Sequence, residues 1–275
     1  MYNKIISIES QLEEIASENP KYKELWATWN LNKKTLEPIL NAIIKDYPHY
    51  SLHDYSHSES ILLNIERILG NKNIEKLSPT DLWLILHVAY LHDFGMVLLD
   101  TKIREFWNSR EFQDFLKEQC ESAEDEFRKA AELIISTKKN KEKFDKTWPL
   151  QIKEAVTLLN SKYCREKHGN FSQNYILDIN NIWGIDIGHN GLVKKRLISL
   201  VADISAIHTK PFEEVFKLHK TANGFKGDYT HPRLVACLLR LGDALDLDNG
   251  RFNYCGEKIF GKLPEDSQIH YGKHE

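Results

Sequence analysis

The chain has 275 residues, 41% hydrophobic and 28% charged, which suits a globular protein of one large domain or two small ones. With 37 Lys and Arg against 40 Asp and Glu the net charge is −3, which excludes a globally basic nucleic-acid surface but leaves room for a local basic groove. No apolar run approaches the roughly 20 residues that span a bilayer, and Cys120, Cys164, Cys237 and Cys255 are scattered without a CxxC pair, which points to a reducing cytoplasm and away from a thiolate zinc site.

The opening "MYNKIISIESQLEEIASENP" places acids where a signal peptide has its apolar core, so it reads as a helix. Apolar residues recur at three and four over about 3–17, 33–46, 56–69, 79–93, 121–137, 149–166, 191–208 and 230–246, which predicts helices almost throughout. Gly70 is a plausible stop for the third of these. Ser78 or Thr80, with Pro79 beside them, is the expected start of the fourth, and Gly95 its end. Residues 100–147 are charged and aromatic ("REFWNSREFQDFLKEQ") and read as an inserted helical flap, tipped by the lysine-rich loop Lys138–Lys143; a solvated face and linker is the plainer alternative. The closing "YCGEKIFGKLPEDSQIHYGKHE" is irregular or strand-like, as expected of a tail or the start of a downstream module in a longer protein. The expected organisation is N-terminal helices over 1–48, a helical domain over 49–251, and that tail over 252–275.

The chemistry-bearing residues sit at special places on these helices. His53 and His57 occur in "SLHDYSHSESIL", and His92 with Asp93 ends an apolar helix in "AYLHDFGM". His168 sits in "CREKHGNFS", where a helix is expected to yield to Gly169. His208 ends "LISLVADISAIHTK", and Asp243 lies inside the apolar "VACLLRLGDALDLD". A His at a helix C-terminus is often only a partner of the helix dipole. Buried His and Asp are costly, however, unless paired or bound. Tens of residues separate each from the next, so each ligand of a shared metal would come from a different helix. Imidazole and carboxylate without thiolate suit Mn, Fe, Co, Ni, Zn or Mg. Asp246 is the nearest rival to Asp243, three residues on. Asp243 is preferred because Leu239, Leu241, Ala244 and Leu245 are expected to bury it, with Asp246 at the exit of the helix.

This ordered set resembles the HD-domain superfamily of metal-dependent phosphohydrolases. His57, then His92 with Asp93, then Asp243 follow the superfamily's order of a His, a His-Asp doublet and a distant Asp. "AYLHDFGM" is close to its "hLHDiG" signature, and "LLRLGDALDLDNGR" to its "LLrlADaLD…R" ending. Members with two metals add two histidines between doublet and last Asp, the places of His168 and His208. The resemblance covers about residues 45–251 and implies an all-α bundle.

It implies a metal-dependent phosphohydrolase or phosphodiesterase acting on a nucleotide or phosphate ester. One divalent ion would sit on His57, His92, Asp93 and Asp243, and a second, bridged by Asp93, on His168 and His208. If the helix of His57 reaches back four residues, His53 shares its face and is an outer partner of the site or a proton donor to the leaving group, a loop-ordering hydrogen bond being the plainer alternative. Lys210, Arg251 and Arg240 are candidates for phosphate, with Arg240 also able to pair with a carboxylate. The finer likeness is to bacterial HD domains that precede a GHKL-type ATPase, the expected downstream module or partner, with homo-oligomers also possible. The elements of cyclic-di-GMP phosphodiesterases are missing. A single-strand nuclease and a nucleotide-sensing module with little turnover are the rival readings.

Overall fold

The computed structural model describes residues 6–47, 53–139 and 150–247. It is an all-α architecture with a single two-residue hairpin among the described residues. In chain order the helices are α1 (Ile8–Glu18), α2 (Lys23–Asn41), α3 (Tyr55–Leu69), α4 (Asn71–Ile74), α5 (Pro79–Leu91), α6 (Asp100–Trp107), α7 (Arg110–Cys120), α8 (Asp125–Lys139), α9 (Leu150–Leu177), α10 (Ile179–Trp183) and α11 (Lys195–Ile207). The strands β1 (Ala222–Asn223) and β2 (Tyr229–Thr230) pair antiparallel, and α12 (Pro232–Ala244) follows. No single helix among them is long and apolar enough to cross a membrane.

The chain divides into two compact units, one comprising 1–42, 53–95 and 168–247, the other 43–52, 96–167 and 248–275. In the first, α5 is the central rod: every residue from Thr80 to Leu91 is buried. It is apolar all round, as a helix surrounded by others must be. Helices α1, α2, α3, α11 and α12 pack around it. Ser78 caps its start, the hydroxyl accepting from the Asp81 amide at 3.0 Å, with Pro79 at the first helical position. Asp81, fully buried, ties that end to the hairpin by accepting from Thr230 Oγ1, the His231 amide and His231 Nδ1, each at 2.7 Å. In the second unit α7 packs on α8, and Trp107, Phe112, Phe115 and Tyr163 form an aromatic cluster.

Three helical boundaries differ from expectation. Helix α2 begins at Lys23 and carries Pro38 inside it. Helix α5 stops at Leu91, and a 3-10 turn, Phe94–Met96, contains Gly95. Helix α9 does not yield at Gly169 but runs on to Leu177. Gly169 is there for closeness: a Cβ on it would lie 2.3 Å from Thr209 Oγ1 and 3.0 Å from the Ala206 carbonyl, at the end of α11. The glycine lets two histidine-bearing segments meet.

Candidate metal centre

All the centre's residues lie in the first unit. Helix α3 starts with Asp54 as its cap, the carboxylate accepting from the Ser56 amide at 3.0 Å, so His57 stands in the first turn. His92 is the C-terminal cap of α5 and Asp93 follows it. His168 projects from mid-α9, His208 caps the end of α11, and Asp243 lies one residue before the end of α12. Several helix ends thus converge on one point, where chain direction changes without burying unpaired backbone.

Asp93 is the hub. Its Oδ2 lies 3.0 Å from His53 Nδ1, 3.2 Å from His92 Nε2 and 3.6 Å from His57 Nε2. Its Oδ1 lies 3.2 Å from His168 Nε2 and 3.5 Å from His208 Nε2. One carboxylate therefore faces two groups of imidazoles, one per oxygen. Asp243 Oδ1 joins the first group, 3.3 Å from His57 Nε2. Three overlapping sets have their ligand atoms within 4.8 Å of one another: His53, His57 and Asp93; His57, His92 and Asp243; His92, Asp93 and His208.

The donor chemistry fits cations. His92 Nε2 and His57 Nε2 face each other at 3.2 Å, and His168 Nε2 and His208 Nε2 at 2.9 Å. Two imidazole lone pairs at such distances repel unless a proton or a metal lies with them. The far ring nitrogens are already engaged. His92 Nδ1–H donates to the Ala89 carbonyl at 3.0 Å, His208 Nδ1–H to the Ser205 carbonyl, and His57 Nδ1–H to Asp246 Oδ2 at 2.5 Å. These bonds select the tautomer whose Nε2 lone pair points inward, as ligating histidines require.

With protons on the inward nitrogens in place of a metal, both carboxylates are held ionised. Burial alone would push the Asp93 carboxyl up, but the His92 charge and hydrogen bonds from His168, His208 and His53 outweigh it and hold it well below the usual range. For Asp243, burial is likewise overcome by the His57 hydrogen bond and the His92 and His57 charges, against opposition from Asp93, leaving it low. Both carboxylates are anionic at neutral pH.

His57, His92, Asp93, His168, His208 and Asp243, named from the sequence, all come together here. His53 joins them from a different place than a helical extension would give, since it precedes the α3 cap. Its ring meets the His57 ring edge-on at 5.4 Å. The burial expected around Asp243 is corrected: Leu241 and Leu245 are about half exposed and the Asp243 side chain is 35% exposed, whereas Asp246 is 4% exposed. The apolar residues flanking Asp243 point outward, and both acids lie inward. Asp246 is the residue that sequence reasoning passed over; its three-residue offset from Asp243 was the signal that both share a face. Arg240 also departs from expectation. Its Nη1 donates to the carbonyls of Ile207, His208 and Lys210 at 2.8, 3.1 and 2.6 Å, so this nitrogen braces the end of α11 instead of facing a phosphate. Lys210 lies in that same turn, half-buried. Arg251 and the tip of the lysine-rich loop lie outside the described residues.

A helical bundle that closes a His, a His-Asp doublet, two further His and an Asp on one point is an HD-type domain. The chain belongs to the HD-CE family, whose model matches residues 47–275. No curated protein and no solved structure matches it.

Proposed function

We propose that this centre is that of a metal-dependent phosphohydrolase or phosphodiesterase acting on a nucleotide or another phosphate ester. The observation that carries the reading is the split of Asp93, one oxygen toward His53, His57 and His92 and the other toward His168 and His208. A bridging carboxylate between two imidazole groups is what a pair of divalent ions requires. Such ions supply an acidified water and positive charge for phosphoryl oxygens.

The chain's residues have distinct roles in this scheme. His57, His92, Asp93 and Asp243 would hold one ion, and His168 and His208, with Asp93, would hold a second. His53 bonds Asp93 through Nδ1 at 3.0 Å, which orients the carboxylate and places an imidazole to move a proton at the leaving oxygen. Lys210, two residues beyond His208, is our candidate for binding a phosphate. We further propose, from the sequence resemblance alone, that this centre is coupled to a GHKL-type ATPase module or partner.

The test is release of p-nitrophenolate from bis-p-nitrophenyl phosphate, and of phosphate from a nucleotide panel, with Mn²⁺, alongside metal analysis of the purified protein. EDTA should abolish release. A His92→Ala/Asp93→Ala double variant that stays folded by circular dichroism should lose it as well. Release by that variant at the wild-type rate sinks the proposal.

A further inference from the structure

We infer that Asp246 is a positioning residue of the metal centre, which fixes His57 from behind so that its Nε2 serves as a ligand. The inference rests on the metal-centre reading above. Arg240, Asp243 and Asp246 follow one another at intervals of three, so they form a single ridge on one side of α12 and its end. Each reaches a different element: Arg240 the end of α11, Asp243 the cluster, Asp246 the start of α3.

Asp246 and Asp243 bracket one ring. Asp246 Oδ2 takes the Nδ1–H of His57 at 2.5 Å, and Asp243 Oδ1 lies 3.3 Å from Nε2 on the opposite edge. The Asp246 bond therefore sets the tautomer of His57, and the two acids together set the orientation of its ring. The place of Asp246 argues for a purpose. It lies 4% exposed just beyond a helix C-terminus, where the partial negative charge of the last carbonyls disfavours a carboxylate. Burying an acid there costs free energy that a purely structural site would avoid. An anion behind a ligating histidine makes the imidazole more basic and holds its lone pair on the ion, and removal of such a partner typically weakens metal binding by about 10–100-fold. The alternative is an imidazolium clamped between two carboxylates, a purely structural ion pair that needs no metal.

The experiment is titration of metal-free protein with MnCl₂ by calorimetry. Asp246→Asn keeps an acceptor for Nδ1–H and removes only the charge. It is expected to bind Mn²⁺ about 10–100-fold more weakly, with far-ultraviolet dichroism unchanged and the ion on His168 and His208 least affected. Asp246→Glu, which keeps the charge on a longer arm, carries the test should the Asn variant not fold, and is expected to bind at least about tenfold more weakly. Wild-type Mn²⁺ affinity in a folded variant overturns the positioning role alone. Absence of Mn²⁺ binding by the wild type overturns it together with the metal-centre reading. Metal binding without phosphate release leaves the positioning role standing and removes only the proposed activity.

Discussion

Gly95→Ala is the smallest change that should disassemble the centre without touching a ligand. Gly95 does not have a positive φ, so alanine suits its backbone, and the effect is purely one of space. A Cβ there would lie 2.3 Å from the His168 carbonyl oxygen, 2.5 Å from the Ser172 amide nitrogen and 2.8 Å from Phe171 Cβ. Unstrained heavy atoms stand about 3.5 Å apart, so α9 must retreat by about 1 Å from the turn after α5. Two bonds cross this gap: the Gly95 amide to Ser172 Oγ at 2.8 Å, and that hydroxyl to the His92 carbonyl at 2.6 Å. Overpacking costs about 1–3 kcal/mol and each of the two strained bonds about 1, for a total of roughly 3–5 kcal/mol. The same retreat separates His168 Nε2 from Asp93 Oδ1, now 3.2 Å apart. Displacements of about 1 Å at a reacting centre cost about 100-fold in rate. Denaturant titration of metal-free protein followed by tryptophan fluorescence measures the first effect, and calorimetric Mn²⁺ titration the second. A variant within about 0.5 kcal/mol of wild type with unchanged Mn²⁺ affinity would refute the close-approach reasoning.

Other consequences follow from the same geometry. Arg240→Met should weaken binding at the His168–His208 end and lower thermal stability, because the Ile207, His208 and Lys210 carbonyls lose a charged donor worth about 1.5–3 kcal/mol; unchanged stability in a thermal melt would count against it. Stripping metal with EDTA should lower the melting temperature, since an ion present at 100 times its Kd contributes about 2.7 kcal/mol; coincident melts with and without Mn²⁺ would contradict a bound ion. His87, buried against Trp83 and Trp29, is pushed down by burial to about 3, while its bond to the Trp83 carbonyl resists. The unfolded chain therefore takes up this proton first. His87 stability is whole above pH 6.5 and is lost as pH falls from there toward 3, at no more than about 1.4 kcal/mol per pH unit. Denaturation midpoints measured from pH 7 to 4 should fall less steeply in His87→Gln than in wild type; parallel curves would show that His87 does not titrate between the two states.

Much of the fold was legible because helical periodicity is strong in α3, α11 and α12, and because caps such as Ser78 carry their own signal. The ligands were legible for a different reason. A His or Asp in an apolar helix, or at its end, is a local anomaly that burial makes costly. Asp246 was not legible as a buried group, because Leu241 and Leu245 mimic an interior face while facing out. The continuation of α9 through Gly169 was hidden too. Glycine normally weakens a helix interior by about 1 kcal/mol, and only the tertiary approach of Thr209 and Ala206 shows what it gains. His53 was expected beside His57 on a helix extended back by a turn; it precedes the Asp54 cap instead and bonds Asp93.

The arrangement of polar partners explains why these features belong together. The buried His87 shows how this fold treats a histidine that is only structural. Its Nδ1–H donates to Trp83 O at 2.8 Å, its Nε2 accepts from Asn32 Nδ2 at 3.0 Å, and both nitrogens are matched by neutral groups. The cluster histidines follow the opposite pattern. Their Nδ1–H groups are matched where the partners are visible, at Ala89, Ser205 and Asp246, but their Nε2 atoms face one another and two anionic carboxylates. Facing lone pairs of that kind take either a shared proton or a cation. Divalent ions could satisfy the lone pairs and the carboxylates at once. In one core, then, a solitary histidine is completed by an amide, whereas four imidazoles turn their Nε2 atoms toward Asp93, an arrangement that could hold cations.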